Sequence, residues 1–321
     1  MGLDPSVAAV RLAVRRSLPG HRGTVVVACS GGADSLALLA ATIFEARHSD
    51  LRVVGATVDH GLQARSAQQA EHVVVQMAQL GVDETASVRV AVEASGQGPE
   101  AAAREARYAV LEELAERFDT ATVLLGHTRD DQAETVLLGL ARGSGARSLS
   151  GMRRGFGVFR RPLLDVTRDQ TEAACRAEGI TWWEDPHNTD PRFLRARVRH
   201  RVLPVLEEEL GPGVAAALSR TADLLADDAA ALDGLAEDLR DAALRDGGLD
   251  TTVLAGWPVA IVTRVVRAAL VQAGCPASEL TRGHVLAVVG LEPGKQAQLP
   301  GRVVAFLEGD LLRYGRTAVA G

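Results

Sequence analysis

Lysine is nearly missing from this 321-residue chain: it occurs once, at Lys295, and every other basic residue is arginine, which reads as a composition bias and not a functional device. The net charge of −6 excludes a surface coated in positive charge, so any contact with nucleic acid has to come from local arginine clusters. Cysteine is scarce as well. Cys29, Cys175 and Cys275 lie far apart, which excludes a disulfide framework and a C-x-x-C metal or redox site, and points to the reducing cytoplasm. No apolar run approaches the roughly 18 residues of a membrane span. The first residues, MGLDPSVAAVRLAVRRSL, are interrupted by Arg11, Arg15 and Arg16, the pattern of an amphipathic helix and not of a secretory signal. A soluble protein with no membrane partner is expected. Two nucleotide signatures are also lacking, the Walker A pattern and the dinucleotide-binding G-x-G-x-x-G.

What is present is concentrated in Val25 to Leu39, VVVACSGGADSLALL. A β-branched run, a tight loop and an Ala/Leu helix follow one another without a gap. Gly31 and Gly32 allow close approach of backbone to an anion, the helix start offers free N–H groups, and Ser30 and Ser35 add hydroxyls. Asp34 does not suit a bare anion. It does suit a divalent cation bridged to phosphate, since Mg²⁺ takes one or two carboxylates together with phosphate oxygens. The loop Ser30-Gly31-Gly32-Ala33-Asp34-Ser35 resembles the PP-loop, SGGxDS, of enzymes that split ATP into AMP and pyrophosphate.

Strand and helix then alternate. Strands are predicted at Arg52 to Val58, Val88 to Val92 and Ala121 to Leu125, with helices at Ser66 to Leu80, Pro99 to about Phe118 and Asp130 to Leu140. The fold class is α/β: a parallel doubly wound sheet, with ligands beyond the C-terminal strand ends, where Ser30, Asp59 and His127 fall. Arg142 to Pro162, rich in Gly and Arg, reads as a mobile basic loop, and Trp182 and Trp183 as core. Leu218, Leu225, Leu232 and Leu239 recur every seven residues on a long helix. The expected domains are a catalytic 1–205, a linking helical segment 206–246 and a small α+β unit 247–321.

Three further groups fall where the sheet places a ligand. They are Asp59-His60-Gly61-Leu62, Arg104-Glu105-Ala106-Arg107-Tyr108, and Gly126-His127-Thr128-Arg129-Asp130-Asp131-Gln132-Ala133-Glu134-Thr135. With the SGGADS loop, Arg161-Pro162-Leu163-Leu164 and Arg192 to Pro204, they resemble, in order from about Thr24 to Pro204, the tRNA(Ile)-lysidine synthases. The resemblance implies that ATP adenylates the C2 oxygen of the wobble cytidine in tRNA(Ile) with anticodon CAU, and that free L-lysine displaces AMP. It also implies that Asp34 and Asp131 hold Mg²⁺, that Arg107 and His127 act at the α-phosphate, and that Asp59 and His60 belong to the nucleotide pocket. Asp130, Asp131 and Glu134, at i, i+1 and i+4, are candidates to meet lysine's ammonium groups; one of them, or His127, is a candidate base.

Arg192, Arg195 and Arg199 share one helical face and Arg197 and Arg201 another, a local positive field suited to phosphate of ATP (Arg199) or tRNA (Arg192, Arg195, Arg197). Arg153 and Arg154 in the basic loop are further tRNA candidates. The segment departs from the family's Arg-Asn-x-[IV]-Arg at Ala196. A tRNA 2-thiolase and a nonenzymatic nucleotide-binding module are the competing readings, the first disfavoured by the lack of paired cysteines and the second by the acid and histidine cluster. A homodimer is left open.

Overall fold

The computed structural model describes residues 2–20, 22–59, 61, 66–90, 99–143 and 145–316. Its contacts divide the chain into two units, Met1–Leu225 and Ala226–Gly321.

In the first unit, α1 (Pro5–Arg15) precedes β1 (Arg22–Ala28), α2 (Ala33–Ala46), β2 (Asp50–Asp59), α3 (Ser66–Leu80), β3 (Glu84–Arg89), α4 (Pro99–Arg117), β4 (Val123–Leu125) and α5 (Arg129–Ala141). After these come α6 (Ala146–Leu149), β5 (Gly155–Phe156), β6 (Phe159–Arg160), α7 (Arg168–Ala177), α8 (Leu194–Arg197) and α9 (Leu203–Leu210). The sheet order is β3-β2-β1-β4-β6-β5, parallel except for the final β6-β5 pair. Because successive side chains alternate across a strand, Val25 and Val27 of β1 bury against α1, α2 and α7 while Val26 buries with Leu111 and Leu114 of α4 on the opposite face. The chain runs from β1 outward to β2 and β3, then returns to place β4 on the other side of β1. That reversal opens a crevice beyond the C-terminal ends of β1 and β4.

Two expectations are corrected here. The third strand is Glu84–Arg89, because register with Val54 to Asp59 of β2 selects the earlier residues. The segment Arg142 to Pro162 is not a free loop: α6 and the β5-β6 hairpin form within it, and β6 joins β4 through Val123–Phe159 and Leu124–Arg160.

The helix α10 (Val214–Ala243) crosses the boundary between the units. Its Leu218 packs beside Ala133 and Val198, whereas Leu232 and Leu239 belong to the core of the second unit, so the seven-residue seam serves two cores within one chain. That unit adds β7 (Leu244–Arg245), β8 (Gly248–Asp250), α11 (Thr251–Leu254), α12 (Val259–Gln272), α13 (Arg282–Val289), β9 (Gln296–Leu299), β10 (Val303–Glu308) and β11 (Leu311–Arg316). Its five strands run β7-β8-β11-β10-β9. Among the described residues no helix is long and apolar enough to cross a membrane.

Candidate active site

The loop after β1 is held by its own serine. Ser35 Oγ accepts the N–H of Ser30 (3.2 Å) and donates to the Gly32 carbonyl (2.9 Å), so this hydroxyl, expected to face ATP, shapes the loop. Gly31 has φ +85°, and a Cβ there would stand 2.6 Å from Val73 Cγ2 of α3. Only glycine fits both demands. Gly32 caps α2 without any side-chain bond, which leaves the first-turn N–H groups to a ligand. Gly31→Ala is expected to weaken ATP binding by about 100-fold, since displacing Val73 or the loop adds to the roughly 1–2 kcal/mol of left-handed backbone strain; equilibrium dialysis with ATP checks it.

A cleft of about 700 Å³ opens beside this loop, a volume suited to a nucleotide-sized ligand. Ser30, Gly32, Ala33, Asp34, Asp59, Arg107, His127, Asp131, Arg195 and Arg199 all line it. Asp59 is also a turn residue: its Oδ1 accepts the N–H of Gly61 at 2.9 Å and its Oδ2 lies 3.2 Å from Arg89. His60 lies outside the described residues. Trp182 and Trp183 both line the cleft; Trp183 ties its N–H to the Gly31 carbonyl at 3.0 Å, and Trp182 also packs on the core that contains α2.

His127 is buried between cations. Burial pushes its imidazole well below the ordinary histidine range; Asp131 opposes that, and Arg161 and Arg107 add to it. Its Nδ1 accepts from Arg161 Nε at 3.2 Å, which places the ring proton on Nε2. A neutral N–H donor results. The one nitrogen that could take a proton is engaged by Arg161 in this structure. Arg161, 5% exposed, also donates to the Arg153 carbonyl (2.6 Å) and to Tyr108 Oη (3.0 Å), fastening the hairpin to α4. Arg107 differs from it: its buried Nε has no hydrogen-bond partner, and burial followed by Arg104 lowers its guanidinium's affinity for a proton. An orphan cationic donor in a cleft wall is suited to an anion.

The acids of α5 are less open than their spacing suggested. Asp130 Oδ2 accepts the backbone N–H of Arg168 at 2.8 Å, locking α7 to α5. Glu134 is fully buried, with Arg199 Nε at 2.6 Å, Arg195 Nε at 3.2 Å and Arg168 Nη1 at 3.7 Å. Of the three acids expected to meet lysine, only Asp131 lines the cleft. Burial would raise its carboxyl, but Arg168, His127 and the Thr128 N–H outweigh burial and hold it below the usual range. Asp34 behaves in the opposite way. Burial lifts it to about 6, since Arg168 only partly offsets burial and Asp131 adds repulsion.

Arg195 and Arg199 reach Glu134 from α8 and from a π-helical turn, Val198–Val202, that follows it, an irregularity that recurs at functional sites. Ala196 is core. Arg192 and Arg197 do not line the cleft: Arg192 is exposed and pairs with Asp190 (2.6 Å), and Arg197 binds the carbonyls of Pro191 and Arg192. Arg153 is exposed, whereas Arg154 bridges Asp165 and Asp223. Sequence reasoning missed Arg168 and Thr171, whose hydroxyl donates to Asp34 Oδ1. One signal was there: an arginine at the first position of a helix opposes the helix dipole and calls for nearby acids.

Residues 10–206 match the family model of the PP-loop domain. The chain is 54% identical to a tRNA(Ile)-lysidine synthase of Thermobifida fusca over 89% of each chain, and 47% identical to that of Streptomyces coelicolor over 97% of this chain and 99% of the relative. The chain belongs to the tRNA(Ile)-lysidine synthase family. Among solved structures, the U34-tRNA thiolase NcsA of Methanococcus maripaludis, with its [4Fe-4S] cluster, superposes with a TM-score of 0.58 at 17% identity, over 68% of this chain and 78% of that one. At that identity the likeness concerns the fold alone. Membership of the synthase family brings ATP use with it.

Proposed function

We propose that the protein is an ATP-dependent ligase that adenylates the C2 oxygen of the wobble cytidine in tRNA(Ile) with anticodon CAU and joins free L-lysine to C2, releasing AMP and pyrophosphate. The observation that carries this reading is the 54% identity to a lysidine synthase across 89% of both chains, on a chain whose PP-loop lines the cleft. In the first half-reaction the base oxygen attacks the α-phosphorus and pyrophosphate leaves. In the second, the lysine amine attacks C2, the C2–O bond breaks, and the oxygen departs on AMP.

The residues divide these tasks by their geometry. The N–H groups at the start of α2 receive phosphate oxygens. Arg107, with an unpartnered buried Nε, and His127, as an Nε2–H donor, meet the charge that develops at the α-phosphate. No three acidic, histidine or cysteine side chains converge as a metal cage among the described residues. The donor set fits Mg²⁺ shared with phosphate instead: Asp34 and Asp131 would hold it, and when bound it neutralises the departing pyrophosphate. Asp131, which lines the cleft where Asp130 and Glu134 do not, is the acid proposed to meet the incoming amine. Arg153, just before the hairpin, and Arg192 are exposed tRNA candidates.

A label distinguishes this chemistry from simple ATP hydrolysis. tRNA carrying heavy oxygen at C2 of the wobble cytidine is expected to yield AMP with that oxygen, read by mass spectrometry; unlabelled AMP from a turning-over enzyme would refute the adenylate. Arg107→Gln is expected to lower kcat/KM for ATP by about 100-fold or more, as loss of one preorganised donor does. Its melting temperature should fall only slightly, because Nε has no protein partner to lose and the contact given up is the one with Tyr108.

A further inference from the structure

Asp34 and Asp131 sit on different helices, and both lean on the first turn of α7. Each has one oxygen committed elsewhere. Asp34 Oδ1 accepts from Thr171, and Asp131 Oδ2 accepts both the N–H (2.9 Å) and the hydroxyl (3.1 Å) of Thr128 in the cap of α5. The oxygens left for a cation are therefore Asp34 Oδ2 and Asp131 Oδ1. Both face Arg168, at 3.6 Å from Nε and 3.1 Å from Nη2, and Asp131 Oδ1 also accepts from Arg199 Nη2 at 3.2 Å, so Arg168 is the one guanidinium that spans the two.

We infer that Arg168 is a resident counter-ion for the Asp34–Asp131 pair, which holds the divalent-cation position in the nucleotide-free protein and yields it only when Mg²⁺ arrives together with ATP. This rests on the Mg·ATP part of the proposed function. A guanidinium and a divalent cation cannot share two carboxylate oxygens, because their mutual repulsion in a partly buried site is large. Around the cluster, Asp34, Asp131 and Glu134, with Asp130 close by, already meet Arg168, Arg195 and Arg199, so a lone Mg²⁺ would have to compete with resident guanidinium groups for the same carboxylates. ATP changes that balance. Its phosphates bring negative charge for Mg²⁺ and an alternative partner for the displaced guanidinium. Arg168 can turn without disturbing the fold, since its backbone is fixed by Asp130 and its side chain keeps 22% exposure. Arg168 thus acts as a positioning residue, keeping the two carboxylates aimed at one point and making metal entry conditional on nucleotide.

Mn²⁺ is the probe, its free fraction read by electron paramagnetic resonance on nucleotide-free, full-length protein. The parent is expected to bind it weakly, Arg168→Met at least about 10-fold more tightly, and Arg168→Lys close to the parent, a range typical of coupled sites. Adding Asp34→Asn to Arg168→Met should abolish the gain. No gain in Arg168→Met, or a gain that survives Asp34→Asn, overturns the inference. A measurement on the unaltered protein guards against misfolded variants: Mn²⁺ and ATP should each bind about 10-fold better in the other's presence than metal–nucleotide pairing in solution explains, and simple additivity refutes the exchange. None of these readouts involves tRNA or lysine, so their failure leaves lysine transfer standing, and the reverse also holds.

Discussion

Asp34→Asn is expected to cut tRNA-dependent AMP formation by about 1,000-fold or more, equivalent to roughly 4 kcal/mol of transition-state stabilisation, while leaving the ligand-free protein more stable than the parent at pH 8. The two effects have one cause. In the absence of metal the buried carboxylate is held at about 6 against an ordinary 3.8, so the folded state keeps a proton that the unfolded state has lost. Stability from that proton is present below pH 4 and disappears as pH rises through 6, and ionised Asp34 then costs about 1–3 kcal/mol. Asparagine removes the charge and the cost. The difference in unfolding free energy between the Asp34→Asn variant and the parent should be small at pH 4, grow between pH 4 and 6, and level off above, as denaturant titrations at each pH would record. A variant less stable than the parent at pH 8 would mean that Arg168 offsets the burial of Asp34 in full and not in part.

Glu134→Ala should have the largest effect on stability, about 3–5 kcal/mol, and should leave little folded enzyme at 37 °C. Glu134 is wholly buried and is approached by Arg195, Arg199 and Arg168; without it three guanidinium groups face one another across α5 and the π-helical turn. Glu134→Gln should lie between, since the amide can still accept from Arg199 but carries no charge. Urea midpoints check the order. If Glu134→Ala folds like the parent and loses only affinity for lysine, the residue is a ligand-binding acid and not the keystone of the cluster.

The comparison of these two acids also marks how far sequence carries. The PP-loop and the strand ends bearing Ser30, Asp59 and His127 follow from local pattern, because each is made by residues a few positions apart. The hairpin Gly155 to Arg160 was illegible, since two-residue strands in a Gly/Arg-rich segment acquire their conformation from pairing with β4. The same distance hides the state of the acids. Spacing places Asp130, Asp131 and Glu134 together, but their partners come from Arg168, Arg195 and Arg199, 34 or more residues further on, and those partners decide which acid remains open to the cleft. Arginine clusters are ambiguous for a related reason. Arg195 and Arg199 look like a phosphate-binding face, yet much of their charge is consumed inside the protein by Glu134.

The most direct test of the central claim is to incubate the purified protein with Mg·ATP, L-lysine and tRNA(Ile) bearing CAU, digest the RNA, and examine the wobble nucleoside by mass spectrometry. A cytidine carrying lysine in place of its C2 oxygen, dependent on both ATP and lysine, is the predicted result. An unmodified cytidine from a preparation that binds ATP, or a cytidine that has gained sulfur, would contradict it.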